Sequence, residues 1–220
     1  MDIHLPTKAV IFDMDGVIAD TEPLWQTAEL EVFQTVGIKL TTKMLHSTMG
    51  LRCDEVVAKW FAVQPWEGKS QEAVHDEIVN RVIELVYEQA VIFPGVEGVI
   101  SQVKAAGLKL ALASSSPMRL IEAMTTHFGI KEEFEFLHSA EYENFGKPHP
   151  AVYLHTAKQL GVPPENCLAI EDSFNGMLSA KAGKMRCLLV PALEHRNDPR
   201  WAIADQVLDS LAEFKMSEWT

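Results

Sequence analysis

Hydrophobic and polar positions along this chain fall into blocks of different period. Residues 8–13 form a short apolar run rich in β-branched and aromatic side chains, which predicts a buried strand. Residues 23–92 hold no convincing strand and several helical patterns. Pro23 suits the first turn of a helix and Gly37 its end. Val56, Val57, Trp60 and Phe61 share one helical face. Val74, Ile78, Val82 and Leu85 form a longer apolar stripe after Ser70, which has the chemistry of an N-cap.

From Phe93-Pro94-Gly95 onward, helix and strand patterns alternate. Val96, Val99, Ile100 and Val103 mark a helix that Gly107 ends. Residues 108–113 predict a strand, and Ser114-Ser115-Ser116-Pro117 opens the next helix. A short strand is predicted at 134–138 and a helix at 151–160, closed by Gly161. A strand at 167–170 runs into Glu171-Asp172, a helix follows from Asn175, and 186–190 form another strand. Such alternation implies an α/β fold, a Rossmann-like and mostly parallel sheet covered on both faces. Residues 23–92 then read as an α-helical insertion after the first strand. It forms a cap domain over a core made of residues 1–22 and 93–220.

Composition narrows the function classes. The chain has 220 residues, 47% of them hydrophobic, enough to bury a substantial core. No apolar run approaches the ~20 residues of a membrane-spanning helix, and the first residues lack the layout of a signal peptide. The net charge is −12, from 19 basic and 31 acidic residues, which argues against nucleic acid and anionic membranes as partners. It also means that a phosphorylated substrate needs local cations to overcome a repulsive field. Cys53, Cys167 and Cys187 are an odd count without close spacing. They fit buried apolar roles in a reducing cytoplasm, with no disulfide framework and no zinc pattern. The eight histidines are scattered. The expected assembly is a monomer or weak oligomer.

The candidate chemistry sits at predicted strand ends. Asp13 and Asp15 leave the first strand on the same side, because side chains alternate along a strand. Ligands of open α/β sheets bind at that edge. Two carboxylates so close need a cation or proton between them. They read as a nucleophile and an acid/base beside Mg²⁺, or else as an exposed turn. Ser114, with Ser115 beside it, can offer its hydroxyl and free backbone N–H groups to a phosphate oxygen, or act as an N-cap. Lys147 precedes two prolines in Lys-Pro-His-Pro, which stiffen its backbone; elsewhere such a lysine is simply solvated. Glu171 and Asp172 supply hard oxygens suited to Mg²⁺, with Asp172 or Ser173 as a helix cap the other reading. In a parallel sheet all four strand ends lie along one edge and can converge.

Taken in this order, Phe-Asp-Met-Asp-Gly-Val at 12–17, Ser114, Lys147-Pro148 and Glu171-Asp172-Ser173 resemble the four motifs of the haloacid dehalogenase superfamily across the whole chain. The insertion just after the first motif is similar to the helical-cap subclass that includes β-phosphoglucomutase and many sugar-phosphate phosphatases. The resemblance implies Asp13 as nucleophile and Asp15 as acid/base. It implies Mg²⁺ held by Asp13, the backbone carbonyl of Asp15 and Asp172, with Glu171 beside them, and phosphate held by Ser114, Ser115 and Lys147.

Two departures narrow the reaction. The dehalogenases lack the second aspartate, so Asp15 points to phosphoryl transfer. The mutases carry a histidine where this chain has Trp25, and indole cannot shuttle a proton. Residues 20–25, Gly50-Leu51-Arg52 and 64–68 resemble the bacterial hexitol phosphatases, also described as 2-deoxyglucose-6-phosphate phosphatases. That likeness implies a small sugar or sugar-alcohol phosphate as substrate, with Arg52 and Trp25 as cap-side contacts. A phosphomutase of the same fold is the first alternative and an inactive sugar-phosphate sensor the second.

Overall fold

The computed structural model describes residues 5–48 and 50–219. Six parallel strands, β1 (Ala9–Phe12), β2 (Lys109–Ser114), β3 (Phe136–Ser139), β4 (Cys167–Glu171), β5 (Arg186–Leu189) and β6 (Gln206–Val207), form one sheet in the order β3-β2-β1-β4-β5-β6. The central strand aligns Phe12 with Leu112 on one side and Ile170 on the other. The residues that follow each of these three therefore emerge at the same level.

Successive side chains of the buried strands go to opposite faces, as the pleat requires. Val10, Phe12, Leu110, Leu112, Leu168 and Ile170 enter one core. It also takes in α5 (Val96–Ala105) and α6 (Met118–His127). Ala9, Ile11, Ala111, Ala113, Cys167 and Ala169 enter the other, with α7 (Ala151–Leu160) and α8 (Phe174–Ala182). Both faces are covered, so the strands read as continuous apolar runs. All three cysteines are buried and free.

Four helices lie between β1 and α5: α1 (Glu22–Thr35), α2 (Thr42–His46), α3 (Cys53–Val63) and α4 (Gln71–Gln89). Ser70 Oγ caps α4 by accepting from Ala73 N at 3.0 Å. The predicted stripe Val74, Ile78, Val82 and Leu85 is fully buried and continuous with the core over the first sheet face. Arg119 of α6 pairs with Asp76 of α4 at 2.7 Å. Two crossings join this insertion to the sheet, and they touch: Phe93 N donates to Ile18 O at 2.8 Å.

Several boundaries differ from the sequence reading. The first strand ends at Phe12, one residue earlier than predicted. The chain then turns, with Ile18 N bonded to Met14 O at 2.8 Å. The predicted strand at 134–138 begins at Phe136. A 3₁₀ turn over Lys131–Glu133 precedes it, and Phe134 packs edge-on against Phe12. Helix α2 and the two-residue edge strand β6 carry too short a pattern to read from sequence. No described helix is long and apolar enough to cross a membrane.

Candidate active site

The chain runs from β1 outward in one direction and from β4 outward in the other, so the crevice between their carboxyl ends is the switch point at which such sheets bind ligands. Asp13 follows β1, Glu171 ends β4, and Asp172 follows it. Asp13 N still bonds to Ile170 O at 2.9 Å, which fixes where its side chain starts.

Lys147 reaches into this crevice from the 140–150 segment and is buried. Its Nζ donates to Asp13 Oδ1 at 2.8 Å, Glu171 Oε1 at 2.7 Å and the Ala113 carbonyl at 3.2 Å. Tyr153 of α7 donates its hydroxyl to the same Glu171 oxygen at 2.6 Å. Glu171 Oε1 thus accepts from both Tyr153 and the lysine it orients. Burial works against the Lys147 charge, yet Asp13 and Glu171 together hold it above the ordinary lysine range.

One lysine does not balance the acids around it. Burial, reinforced by Glu171 and opposed by Lys147, pushes Asp13 up to about 7. Burial and the charges of Glu171 and Asp13 also raise Asp172 well above the ordinary carboxylate range. Carboxylate oxygens of Asp13, Glu171 and Asp172 lie within 4.8 Å of one another. Buried, mutually repelling hard oxygens at this spacing fit a divalent cation such as Mg²⁺.

Two glycines let the chain close on these carboxylates. Gly16, at φ +75°, lies so near Asp172 that a Cβ would come within 2.0 Å of Oδ2. A Cβ on Gly176 would come within 1.9 Å of Glu171 Oε1. Ser173 caps α8 through Gly176 N at 3.1 Å, so the capping reading and the metal reading fall on neighbouring residues.

Asp15 sits apart from that cluster and is held by side chains from two elements. Oδ1 accepts from Thr21 Oγ1 at 2.6 Å and from Trp25 Nε1 at 3.1 Å. Oδ2 accepts from Ser116 Oγ at 2.7 Å and Ser114 Oγ at 3.3 Å. Ser114 is buried at the end of β2 and also accepts from Ser116 N at 3.0 Å. Asp13, Asp15, Ser114, Ser115, Lys147 and Asp172 all line one cavity of about 760 Å³. Trp25, Glu22 and Glu29 line it from α1.

Arg52 requires a correction. It does not line the cavity. Its Nη1 donates to the Ala140 and Glu143 carbonyls, both at 2.9 Å, and its guanidinium pairs with Asp54 at 2.6 Å. An arginine satisfied by two carbonyls and a carboxylate has its donors turned to the 140–146 segment. It joins α3 to the chain leading into Lys147. Trp66, outside the cavity, packs edge-on against Phe33 and Phe61.

Sequence reasoning missed Tyr153, Ser116 and Glu29. Tyr153 and Glu29 sit within helical patterns, and no spacing rule links either to a strand end.

A family model for haloacid dehalogenase-like hydrolases matches residues 7–184. The chain belongs to the haloacid dehalogenase-like hydrolases. Within that family it is a phosphatase. It is 46% identical over 206 residues to hexitol phosphatase B of Escherichia coli K12, covering 93% of each chain. Among solved structures, CbbY from Rhodobacter sphaeroides in complex with phosphate superposes with a TM-score of 0.86 at 30% identity, covering 94% of this chain and 96% of that one. A β-phosphoglucomutase from Clostridium difficile superposes with a TM-score of 0.83 at 29% identity, covering 96% and 95%.

Proposed function

We propose that this phosphatase hydrolyses small sugar or sugar-alcohol phosphates, hexitol and hexose 6-phosphates above all, through a phosphorylated Asp13. The observation that carries the reading is the pairing of Asp13 with buried Lys147 on the floor of a cavity of about 760 Å³. The 46% identity to a hexitol phosphatase supports the substrate class.

In the first step an Asp13 oxygen attacks phosphorus and the ester P–O bond breaks. Asp15 gives its proton to the leaving alkoxide. Trp25 N–H can only donate, so the Asp15 proton belongs on Oδ2, where the Ser114 and Ser116 hydroxyls can turn to accept it. In the second step water attacks the aspartyl-phosphate. Asp15 takes the water proton, the bond to Asp13 breaks and phosphate leaves. Lys147 and Ser114 offset charge on the phosphoryl oxygens throughout. Asp13, Asp172 and the Asp15 carbonyl would hold Mg²⁺, which supplies further charge neutralisation for the phosphoryl group. Residues 23–92 act as the cap, excluding water and presenting Trp25 and Glu29 to the sugar hydroxyls, with Glu22 at the junction beside them.

The direct test is phosphate release from a panel of hexose, hexitol, nucleotide and aryl phosphates, with Mg²⁺ or EDTA. Turnover should be highest on hexitol and hexose phosphates and abolished by EDTA. Asp13→Asn should lose at least about 10³-fold, because an amide is a poor nucleophile. Nucleotides surpassing every sugar phosphate, or Asp13→Asn within tenfold of the parent, would overturn the proposal. A mutase would isomerise hexose phosphates with little net phosphate release.

A further inference from the structure

Away from the cavity, the fold gathers three side chains that sequence order keeps apart. His138 lies in β3, Glu143 in the segment after it, and His155 in α7. His138 Nε2 is 2.8 Å and His155 Nδ1 2.9 Å from the same oxygen, Glu143 Oε1. The three potential ligand atoms lie within 4.8 Å of one another. No residue of this cluster lines the cavity described above.

We propose that His138, Glu143 and His155 form a second metal site. It takes one divalent cation of the Zn²⁺ class through His138 Nε2, His155 Nδ1 and the Glu143 carboxylate. Two imidazoles and one carboxylate are the ligand set preferred by borderline first-row metals, in contrast to the all-oxygen set of Asp13 and Asp172. The site is organised before binding. The His138 and His155 rings lie 4.2 Å apart, and Phe136 stacks on both. Tetrahedral bonds of 2.0–2.1 Å set ligand atoms about 3.3 Å apart, so each histidine–Glu143 distance opens by about half an ångström.

The surroundings also bear on the ring chemistry. Gln159 Nε2 lies 3.1 Å from His155 Nε2, and the amide can donate to that nitrogen or, turned over, accept from it. Metal binding at Nδ1 leaves the single ring proton of neutral His155 on Nε2. The Gln159 amide then turns so that its oxygen accepts, the kind of outer contact that fixes a ligating histidine. His138 is almost fully buried, with 4% of its side chain exposed, while His155 is 40% exposed. The cation therefore enters from the His155 side, where water completes its coordination. Glu143 also gives its carbonyl to Arg52. A bound cation fixes the segment that Arg52 grips.

The test is a Co²⁺ titration of tag-free protein in saturating Mg²⁺, which occupies the hard oxygen site, followed by visible absorption. One equivalent of Co²⁺ should produce a d–d band, and Zn²⁺ should abolish it. Glu143→Gln and His155→Ala should each weaken binding by at least about tenfold, while Asp172→Asn leaves it unchanged. Circular dichroism checks that each variant is folded. His155 is exposed enough for its variant to decide the matter if Glu143→Gln does not fold. No band at millimolar Co²⁺, or an unaltered band in His155→Ala, would overturn the site and leave a hydrogen-bonded His–Glu–His cluster.

Discussion

Asp13, Asp15, Ser114, Lys147 and Asp172 were legible because each stands next to a predicted strand end or a stiffened loop, and the edge of a parallel sheet is a physical address. Tyr153 and the His138–Glu143–His155 cluster were not, because their partners lie 5 to 18 residues away in other segments. Glu29 shows the consequence of missing a residue inside a helical pattern. It is buried on α1 where it meets the cavity, and burial, with the Glu22 charge, pushes it up to about 8 from an ordinary 4.5. Between those values the folded chain holds a proton that the unfolded chain has released. Stability is therefore fully present below about pH 4.5 and is lost as pH rises toward 8. Glu29→Gln keeps the shape and removes the titration. Its melting temperature should match the parent near pH 4.5 and exceed it by on the order of 5 °C at pH 8. If Glu29 contacts substrate hydroxyls, the same variant should raise KM for hexitol phosphates and leave an aryl phosphate unaffected. Melting curves across pH and a two-substrate KM comparison check both outcomes.

At the level of elements, the buried strands and the long helices were read closely, because their apolar periods are long or their ends carry Gly, Pro or Ser. Helix α7 was read to the residue, closed by Gly161 at φ +66°. The two-residue shift of β3 arose because Phe134 is as apolar as a strand residue but packs against Phe12 of the central strand instead of pairing. The turn after β4 was legible as a metal site or a cap, yet its geometry is set by contact. A methyl group at Gly176 meets the Glu171 carboxylate, whose position in turn orients Lys147. Gly176→Ala should cost about 1–3 kcal/mol by overpacking, and lower kcat more than it raises KM. Denaturant unfolding and steady-state kinetics measure the two effects. Arg52 belongs to this scale as well, since it ties α3 to the Ala140 and Glu143 carbonyls. Arg52→Ala should remove about 1–3 kcal/mol of charge-assisted hydrogen bonding. It should raise KM by a similar factor for hexitol and aryl phosphates, because it loosens the cap rather than a sugar contact. A KM rise confined to hexitol phosphates would return Arg52 to the substrate.

For the whole molecule, the acidic balance and the site pull in opposite directions. A chain of net charge −12 gathers three carboxylates and one lysine at the end of its sheet. Folding without a cation must then protonate or strain that cluster. Asp13 titrates near 7 in place of its ordinary 3.8, and Asp172 is raised as well. Both groups bind protons in the folded state that the unfolded chain gives up. Metal-free protein should therefore lose stability as pH climbs from about 4 through 7, with a slope of up to about 1.4 kcal/mol per pH unit for each group. Mg²⁺ competes with those protons. Its stabilising effect should be small at pH 5.5 and larger at pH 8, above the value of about 7 at which Asp13 gives up its proton. Asp172→Asn removes one of the repelling charges at nearly constant shape. It should raise the melting temperature of metal-free protein at pH 8, flatten its pH dependence, abolish the response to Mg²⁺ and eliminate phosphate release. Calorimetry of parent and variant at both pH values, with EDTA or with Mg²⁺, gives all four outcomes. A variant less stable than the parent in EDTA at pH 8 would mean that Asp172 supports the fold directly. The repulsion that a cation is needed to relieve would then have to lie between Asp13 and Glu171 alone.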